Sequence, residues 1–171
     1  LLSKYFVDII NFEEMNVISI NSLKQLTVKY FGNNNIVLHQ EMLSPFYDIL
    51  KNVNENEIIE LILECVKFLI TKYPNNIKCG WQIILMIFTN SNFNKNILKI
   101  SFNNVLYIIK NYWQKIKMYF IDLINCLVSY KNDYMEYINL EIIKLLKVCA
   151  IKLYEGEVII LKFNQILFNK T

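Results

Sequence analysis

Apolar positions follow the periodicity of α-helices along almost the whole chain. Between residues 76 and 88, apolar side chains fall at i, i+4, i+7, i+8 and i+11, which places them on one face of a helix. These residues are Ile77, Trp81, Ile84, Leu85 and Phe88. Residues 95–111 are apolar nearly all round, as in a helix buried on several sides. Because alternation with a period of two is rare, the pattern predicts an all-α protein of about eight to nine helices.

Residues that start or stop helices divide the chain into these elements. Gly32 and the asparagines after it predict the end of a helix that begins near residue 14. Ser44 and Pro45 predict the start of the next helix, with serine as N-cap and proline at the first helical position. Pro74 predicts the end of a helix that opens at residue 54 or 55, and Gly156 separates the last two predicted helices.

The predicted helices form pairs that recur at a regular interval. Aligning the first helix of each pair gives steps of 43, 39 and 41 residues between corresponding apolar positions. The aligned anchors are Ile20 and Leu23, Leu63 and Val66, Phe102 and Val105, and Ile143 and Leu146. Helix-pair repeats of about 40 to 47 residues are typical of HEAT and armadillo proteins, whose stacked pairs share one elongated core. We therefore expect a HEAT/armadillo-like helical-repeat solenoid that forms a single domain over residues 1–171, with a globular helical bundle as the alternative.

Gly80 is an unusual residue for the interior of a predicted helix. Glycine destabilises a helix interior by about 1 kcal/mol relative to alanine, so the missing side chain needs a reason. Close approach of a neighbouring helix, or of a binding partner, would supply one. The spacing of Trp81 favours a place in the core, and contact with a partner through the gap at Gly80 is the alternative.

The charge of the chain is unevenly distributed. The net charge is +3, yet no Asp or Glu occurs between residues 65 and 121. That stretch holds eight lysines: Lys67, Lys72, Lys78, Lys95, Lys99, Lys110, Lys115 and Lys117. The rest of the chain has ten lysines against fifteen acidic residues. A basic middle between acidic ends favours an anionic partner, such as a membrane surface or an acidic protein patch, while scattered solvated lysines are the alternative.

Patterns typical of enzymes and metal sites are absent from the sequence. The three glycines are isolated, so there is no phosphate-binding loop, and the only histidine, His39, is expected to cap a helix or lie on the surface. The cysteines lack the spacing of a zinc site and are expected to be buried free thiols: Cys65, Cys79, Cys126 and Cys149. Aromatic residues among the lysines of residues 107–119 fall at helical spacing, which favours packing over nucleic-acid binding. We expect no catalytic residue, metal, cofactor or nucleic-acid partner.

Neither a secretion signal nor a membrane-spanning segment is visible. The longest uncharged run, residues 79–94, is shorter than the stretch of about 20 apolar residues that spans a bilayer. We therefore expect a cytosolic chain. Because residue 1 is leucine, we also expect that the chain is a segment of a much larger protein.

The run from Asn76 to Phe88 resembles a motif found downstream of the catalytic domain in the large, brefeldin A-inhibited Arf guanine-nucleotide exchange factors. There the pattern is Asn-Ile-basic-small-Gly-Trp, followed by an apolar helix that ends in Phe. This chain has Asn76, Ile77, Lys78, Cys79, Gly80, Trp81 and Phe88. Further matches follow in order over residues 1–154, at residues 22–26, 43–46, 64–66 and 143–149. Ser44 and Glu64 depart from the family pattern, in which both positions are basic.

The resemblance implies a regulatory segment of a large trafficking protein. The parent would be cytoplasmic and peripheral on Golgi, trans-Golgi or endosomal membranes, and would load GTP onto Arf GTPases through a separate, upstream Sec-seven domain. No trace of that catalytic domain is found in this chain. The segment itself would not be an enzyme; it would contact Arf-GTP, other domains of the parent chain and, peripherally, an anionic membrane. The alternative is a HEAT-repeat scaffold of another kind, such as a transport receptor, a phosphatase scaffold or a coat adaptor.

Two groups of residues are the candidate partner contacts. One group lies at the start of the motif, and the other is a lysine cluster in the stretch without acidic residues. They are Asn76, Lys78, Gly80 and Trp81 in the motif, and Lys110, Lys115 and Lys117 in the cluster. The motivation is the family motif together with the charge distribution.

Overall fold

The computed structural model describes Tyr5, Asp8 and residues 16–32, 39–89, 93–131 and 136–168, with side chains described as far as residue 156. Over these ranges the chain is all-α and contains no strand, which confirms the predicted class. The α-helices are α1 (Asn16–Phe31), α2 (His39–Asn52), α3 (Asn56–Lys72), α4 (Trp81–Phe88), α5 (Lys95–Ile116), α6 (Phe120–Ser129) and α7 (Glu136–Phe168). Two short 3-10 helices, Lys78–Gly80 and Lys117–Tyr119, precede α4 and α6. None of the described helices has the combined length and hydrophobicity that crossing a membrane requires.

The helices pack in two layers that alternate along the chain. In one layer α1 contacts α3 and α3 contacts α5, while in the other α2 contacts α4 and α4 contacts α6. Most consecutive helices also contact each other between the layers, and α7 packs on α6. Helices that alternate between two layers agree with stacked helix pairs, and the solenoid itself stays a prediction.

The core lies between the two layers and contains the predicted anchors of the first three repeats. These six buried residues are Ile20, Leu23, Leu63, Val66, Phe102 and Val105. In the fourth anchor pair Ile143 is wrong, because it is 65% exposed, while Leu146 is half-buried and packs against the core. On α7 the buried face consists instead of Ile138, Ile142 and Cys149. A shift of one residue turns a helix by about 100°, and the adjacent isoleucines at 142 and 143 satisfy the sequence pattern equally well in either register.

Helix ends are predicted correctly at α3 and wrongly at α2. Glu55 is the N-cap of α3, and Tyr73, the residue before Pro74, is its C-cap. Helix α2 starts before the serine–proline pair and has Pro45 inside it. Proline lacks the N–H that would bond to the carbonyl of Glu41, and the Ser44 hydroxyl donates to that oxygen instead, at 3.4 Å. Pro45 is itself buried, so packing against the core offsets part of the lost backbone hydrogen bond.

Helices α5 and α7 run further than the sequence predicts. Helix α5 continues past residue 111 through a kink at Tyr112, whose dihedrals are non-helical (φ −129°, ψ 25°). Helix α7 passes through Gly156 without interruption, so the predicted break is wrong. A glycine with helical dihedrals weakens a helix by about 1 kcal/mol but does not by itself end it. No neighbouring atom lies within 4 Å of the place that a β-carbon of Gly156 would occupy, so close packing does not explain this glycine.

A buried hydrogen-bond chain joins the end of α6 to α4 and α5. The Tyr130 hydroxyl donates to the carbonyl oxygen of Phe88 at 2.8 Å and lies 2.7 Å from the Ser101 hydroxyl. Because the phenolic proton is used on the carbonyl, the Ser101 hydroxyl is the donor in the second bond. Tyr130 is fully buried, and this burial raises the pKa of its phenol well above the ordinary value. The chain of bonds holds both layers together near the C-terminal end of α4.

Candidate partner interface

Asn76 anchors the start of the motif to the end of α1. Its side-chain amide donates a 2.6 Å hydrogen bond to the carbonyl oxygen of Phe31, the last residue of α1. The last carbonyls of a helix have no partner within the helix, so this amide satisfies one of them. Its backbone N–H donates to the carbonyl of Tyr73 at 3.0 Å and closes the turn after α3. The role of Asn76 in the structure is therefore to position the residues that follow it.

Lys78 takes a left-handed backbone conformation directly after this anchor. Its φ is 45°, and it is the only non-glycine residue with positive φ in the described ranges. A residue with a β-carbon pays about 1–2 kcal/mol for this conformation. The N–H of Gly80 donates to the carbonyl of Ile77 at 2.8 Å, which closes the 3-10 turn around Lys78. The turn leaves Lys78 and Cys79 exposed to solvent while Ile77 and Gly80 are buried.

Gly80 is required by the close approach of α2. A β-carbon at this position would lie 2.6 Å from Cδ1 of Leu43 and 3.4 Å from the carbonyl oxygen of His39. Its dihedrals (φ −66°, ψ −12°) suit any residue, so space and not conformation selects glycine. The neighbouring-helix explanation is confirmed, although Gly80 ends a 3-10 helix and does not lie inside α4 as predicted. The amide of Gln40, also on α2, donates to the carbonyl of Cys79 at 3.4 Å and adds a second link.

Trp81 lies in the core and not on the surface. It is 1% exposed, and its ring centroid is 5.4 Å from that of Tyr112, at the kink of α5. The hydroxyls of Tyr112 and Tyr107 are 3.4 Å apart, and burial, reinforced by this hydrogen bond, raises the pKa of Tyr112 to about 12. Trp81 therefore supports the shape of the surface, and any part it takes in partner binding is indirect.

Two of the three candidate lysines lie where α5 passes into the second 3-10 helix. Lys115 is half-buried at the end of α5, and Lys117 is exposed in the second 3-10 helix. Tyr119 lies in the same 3-10 helix. Burial raises the pKa of its phenol, and the Cys79 thiol of the motif raises it further, which indicates that Tyr119 lies near Cys79. Lys110 is exposed on the part of α5 before the kink, which runs in a different direction from the part that carries Lys115. We call Lys78, Lys115 and Lys117 the basic junction.

Two exposed apolar residues beside the basic junction were not singled out by the sequence pattern. Met118 is 77% exposed and Ile121 is 74% exposed, the highest values among the large apolar side chains of the described ranges. Met118 directly follows Lys117 in the 3-10 helix between α5 and α6, and Ile121 is the second residue of α6. The available signal is their position just before Asp122, at the end of the stretch without acidic residues. Both residues lie beyond the kink at Tyr112, which periodicity alone does not reveal.

His39 is buried, so the expected capping or surface role is wrong. Its imidazole is 6% exposed and stacks on Phe31, with ring centroids 5.9 Å apart. Burial and then the nearby Lys78 lower the pKa of His39, while Glu41 opposes them. Its Nδ1 atom has no hydrogen-bond partner within the described part of the chain. The imidazole serves as a packed ring at the start of α2.

The cysteines match the prediction at three of four positions. Cys65, Cys126 and Cys149 are buried free thiols, whereas Cys79 is exposed in the 3-10 turn. Burial raises the pKa of Cys65 to about 11 and that of Cys126 to about 12. Across the residues that the structure describes, no three metal-ligating side chains come together. The site therefore consists of lysines, apolar side chains and a strained turn.

Comparison with known proteins gives matches over the same part of the chain. The model of the family described as Mon2/Sec7/BIG1-like, HDS, matches residues 32–107. This span includes α2, α3, the first 3-10 helix, α4 and most of α5. The Asn76 to Phe88 motif lies wholly within it.

Full-length relatives extend the similarity to most of the chain. Brefeldin A-inhibited guanine nucleotide-exchange protein 2 of Arabidopsis thaliana is 33% identical over 169 residues, which cover 92% of this chain and 9% of that protein. Protein 3 of the same plant is 34% identical over 170 residues, covering 92% of this chain and 10% of that protein. Protein 1 of Homo sapiens is 24% identical over 148 residues, covering 81% of this chain and 8% of that protein. The chain thus spans about a tenth of the length of these plant relatives. The resemblance is confirmed: the chain is related to the HDS region, downstream of the Sec-seven domain, of the large brefeldin A-inhibited Arf guanine-nucleotide exchange factors.

Proposed function

We propose that this chain is a non-catalytic regulatory and membrane-recruitment segment of a large Arf guanine-nucleotide exchange factor. Its parent would act in Golgi or endosomal vesicle trafficking as a cytoplasmic protein that binds membranes peripherally. The segment would contact an Arf-family GTPase in its GTP-bound form and other domains of the parent chain, including the catalytic domain. The names of the relatives support the parent activity, and the basic junction supports the recruitment role.

The observation that carries the recruitment role is the occurrence of lysines and exposed apolar side chains together between the end of α5 and the start of α6. Lysines near an anionic membrane contribute about 1 kcal/mol each, and apolar side chains add to this by entering the headgroup region. Lys117 lies between Lys115 and Met118 in sequence, and Ile121 follows one turn later. No acidic residue occurs from residue 65 to residue 121, so Asp122, directly after Ile121, is the nearest negative charge in sequence that opposes the attraction.

Such a surface binds membranes weakly by itself, which suits a segment that also needs Arf-GTP. Two weak contacts made at once give an affinity far above either contact, because the second becomes intramolecular. The exposed turn at Lys78 and Cys79 is the proposed Arf contact, held in shape by Asn76, Gly80 and Trp81. Recruitment would then require both the anionic lipid and the GTPase.

Liposome flotation with lipidated, GTP-loaded Arf tests this function. Changing Lys110, Lys115 and Lys117 together to glutamate should abolish most recruitment, and changing Met118 and Ile121 to serine should weaken it at constant charge. A control with Lys51, Lys131 and Lys147 changed to glutamate has the same net charge as the first variant. Equal recruitment of all variants would show that neither these three lysines nor Met118 and Ile121 contribute to recruitment.

A nucleotide-exchange assay tests the non-catalytic role. The isolated chain should leave the rate of nucleotide release from Arf at its spontaneous value. Faster release in proportion to the concentration of the chain would contradict the proposal.

A further inference from the structure

A groove between α1 and α3 is built from helices that carry neither the motif nor the basic junction. It has a volume of about 580 Å³ and is open to solvent. Its lining residues are Asn21, Lys24, Gln25, Val28 and Lys29 from α1, and Phe68 from α3. Phe68 is 38% exposed, although it is a large aromatic residue on a helix that otherwise buries its apolar face.

Two ammonium groups share the Phe68 ring. The Nζ atom of Lys24 lies 5.5 Å from the ring centroid, and the Nζ atom of Lys72 lies 5.3 Å from it. Lys72 is also 5.5 Å from the ring centroid of Tyr73. An aromatic face attracts a cation, and here one ring attracts two cations that repel each other. An anion placed between them would relieve that repulsion.

The positive charge around this ring is not balanced by ion pairs. Within the described part of the chain, no carboxylate forms a salt bridge with Lys24, Lys29 or Lys72. An acidic residue near the site is Glu64, one turn before Phe68 on α3; it raises the pKa of the Cys65 thiol, whereas Lys24 lowers it. The groove therefore combines a surplus of positive charge with an apolar floor.

We propose that this groove binds an acidic amphipathic peptide segment of a partner protein. An apolar side chain of the peptide would lie on Phe68, and its carboxylates would pair with Lys24, Lys29 and Lys72. Asn21 and Gln25 carry amides that both donate and accept hydrogen bonds, which matches the N–H and C=O groups of a peptide backbone. A bilayer offers no such backbone, whereas the groove presents the amides of Asn21 and Gln25 beside the partly exposed Phe68 ring.

Fluorescence anisotropy with a synthetic peptide tests this proposal on the 171-residue chain. The labelled peptide carries glutamates and leucines with one central phenylalanine. Changing Lys24 and Lys72 together to glutamate should weaken binding about tenfold or more, because two charge pairs become repulsive. Phe68→Ala should weaken binding about tenfold through loss of the apolar floor. Circular dichroism establishes that each variant is folded, which the partial exposure of all three side chains favours.

The controls distinguish a specific groove from general charge attraction. Lys51 also lies over an aromatic ring, Tyr47 at 4.1 Å, but on α2. Lys51→Glu should leave peptide binding within about twofold, as expected of a separate site. A peptide with glutamine in place of glutamate should not bind. The proposal would be overturned if the groove variants bound the peptide as tightly as the unchanged chain does. It would also be overturned if the chain bound phosphatidylserine vesicles but not the peptide, and the groove variants weakened that vesicle binding. Because the basic junction is intact in these variants, flotation with Arf-GTP should be unchanged.

Discussion

Substituting Gly80 by alanine should destabilise the protein through a single contact. The added β-carbon would lie 2.6 Å from Cδ1 of Leu43, a distance at which one of the two atoms must move. Leu43 is fully buried, so its side chain has little free space to move into. Overpacking of this kind costs about 1–3 kcal/mol. The gain from replacing glycine in a helical conformation is about 1 kcal/mol, which leaves a net loss of up to about 2 kcal/mol.

The sign of this effect should reverse when Leu43 is shortened. Leu43→Ala alone should cost about 2–5 kcal/mol by leaving a cavity. In that background the nearest remaining atoms to a β-carbon at Gly80 are 3.4 Å away, which neighbours can accommodate by small shifts. Gly80→Ala should then be neutral or stabilising by up to about 1 kcal/mol.

Urea unfolding followed by circular dichroism measures the four free energies of this double-mutant cycle. A loss of 1 kcal/mol corresponds to a fall in Tm of about 2–4 °C for a domain of this size. Gly156→Ala is the matched control, because no neighbour lies within 4 Å of its β-carbon position, and it should raise stability. If Gly80→Ala is equally harmful with and without the Leu43 side chain, close approach of α2 does not explain the glycine.

The remaining predictions concern buried polar groups and thiols. Tyr130→Phe should lower the free energy of unfolding by about 1–3 kcal/mol, because it leaves buried partners without a hydrogen bond. Tyr112→Phe should change it little, because the hydrogen bond between the Tyr112 and Tyr107 hydroxyls is exposed to solvent; urea unfolding compares the two variants. Cys79 should react with a maleimide in the native state, while Cys126, whose pKa is raised by burial to about 12, should react only after unfolding, and mass spectrometry counts the adducts. The free energy of unfolding should fall as the pH drops below about 6.5. Burial lowers the pKa of His39 in the folded chain, so on acidification the unfolded chain binds the proton first. His39→Gln should remove this contribution to the pH dependence of Tm, measured by thermal unfolding.

The helical class and most of the core could be predicted because they depend on local periodicity. Every member of the motif face, from Ile77 to Phe88, is buried as its spacing indicates. The anchors of the first three helix pairs are buried for the same reason. Apolar residues spaced by one helical turn share a face whatever their neighbours are, so tertiary structure has little room to change the outcome.

The predictions are wrong where the local sequence is compatible with two structures and tertiary contacts determine which of them forms. Ile142 and Ile143 are both apolar, and only the packing of α7 on α6 decides that Ile142 is buried. The serine–proline pair predicts a helix start at Pro45. A buried position inside α2 is also compatible with proline, because the Ser44 hydroxyl donates to the Glu41 carbonyl that has lost its backbone donor. Gly156 is compatible with either a break or a continuous helix.

The candidate site was predicted in part. The need for space at Gly80 follows from its position, whereas the identity of the neighbour, Leu43, does not. The left-handed conformation of Lys78 has no sequence signal, since lysine rarely adopts it. Met118 and Ile121 lie beyond the kink of α5 at Tyr112, and local periodicity does not indicate their exposure.

The alternation of helices between two layers also bears on how the chain folds. The main contacts join helices one or two positions apart, so native pairing closes only short loops. Low contact order of this kind favours fast folding. It also allows nucleation at any helix pair, with growth outward from there. A nascent chain can therefore complete its first pairs while the ribosome is still adding the later ones.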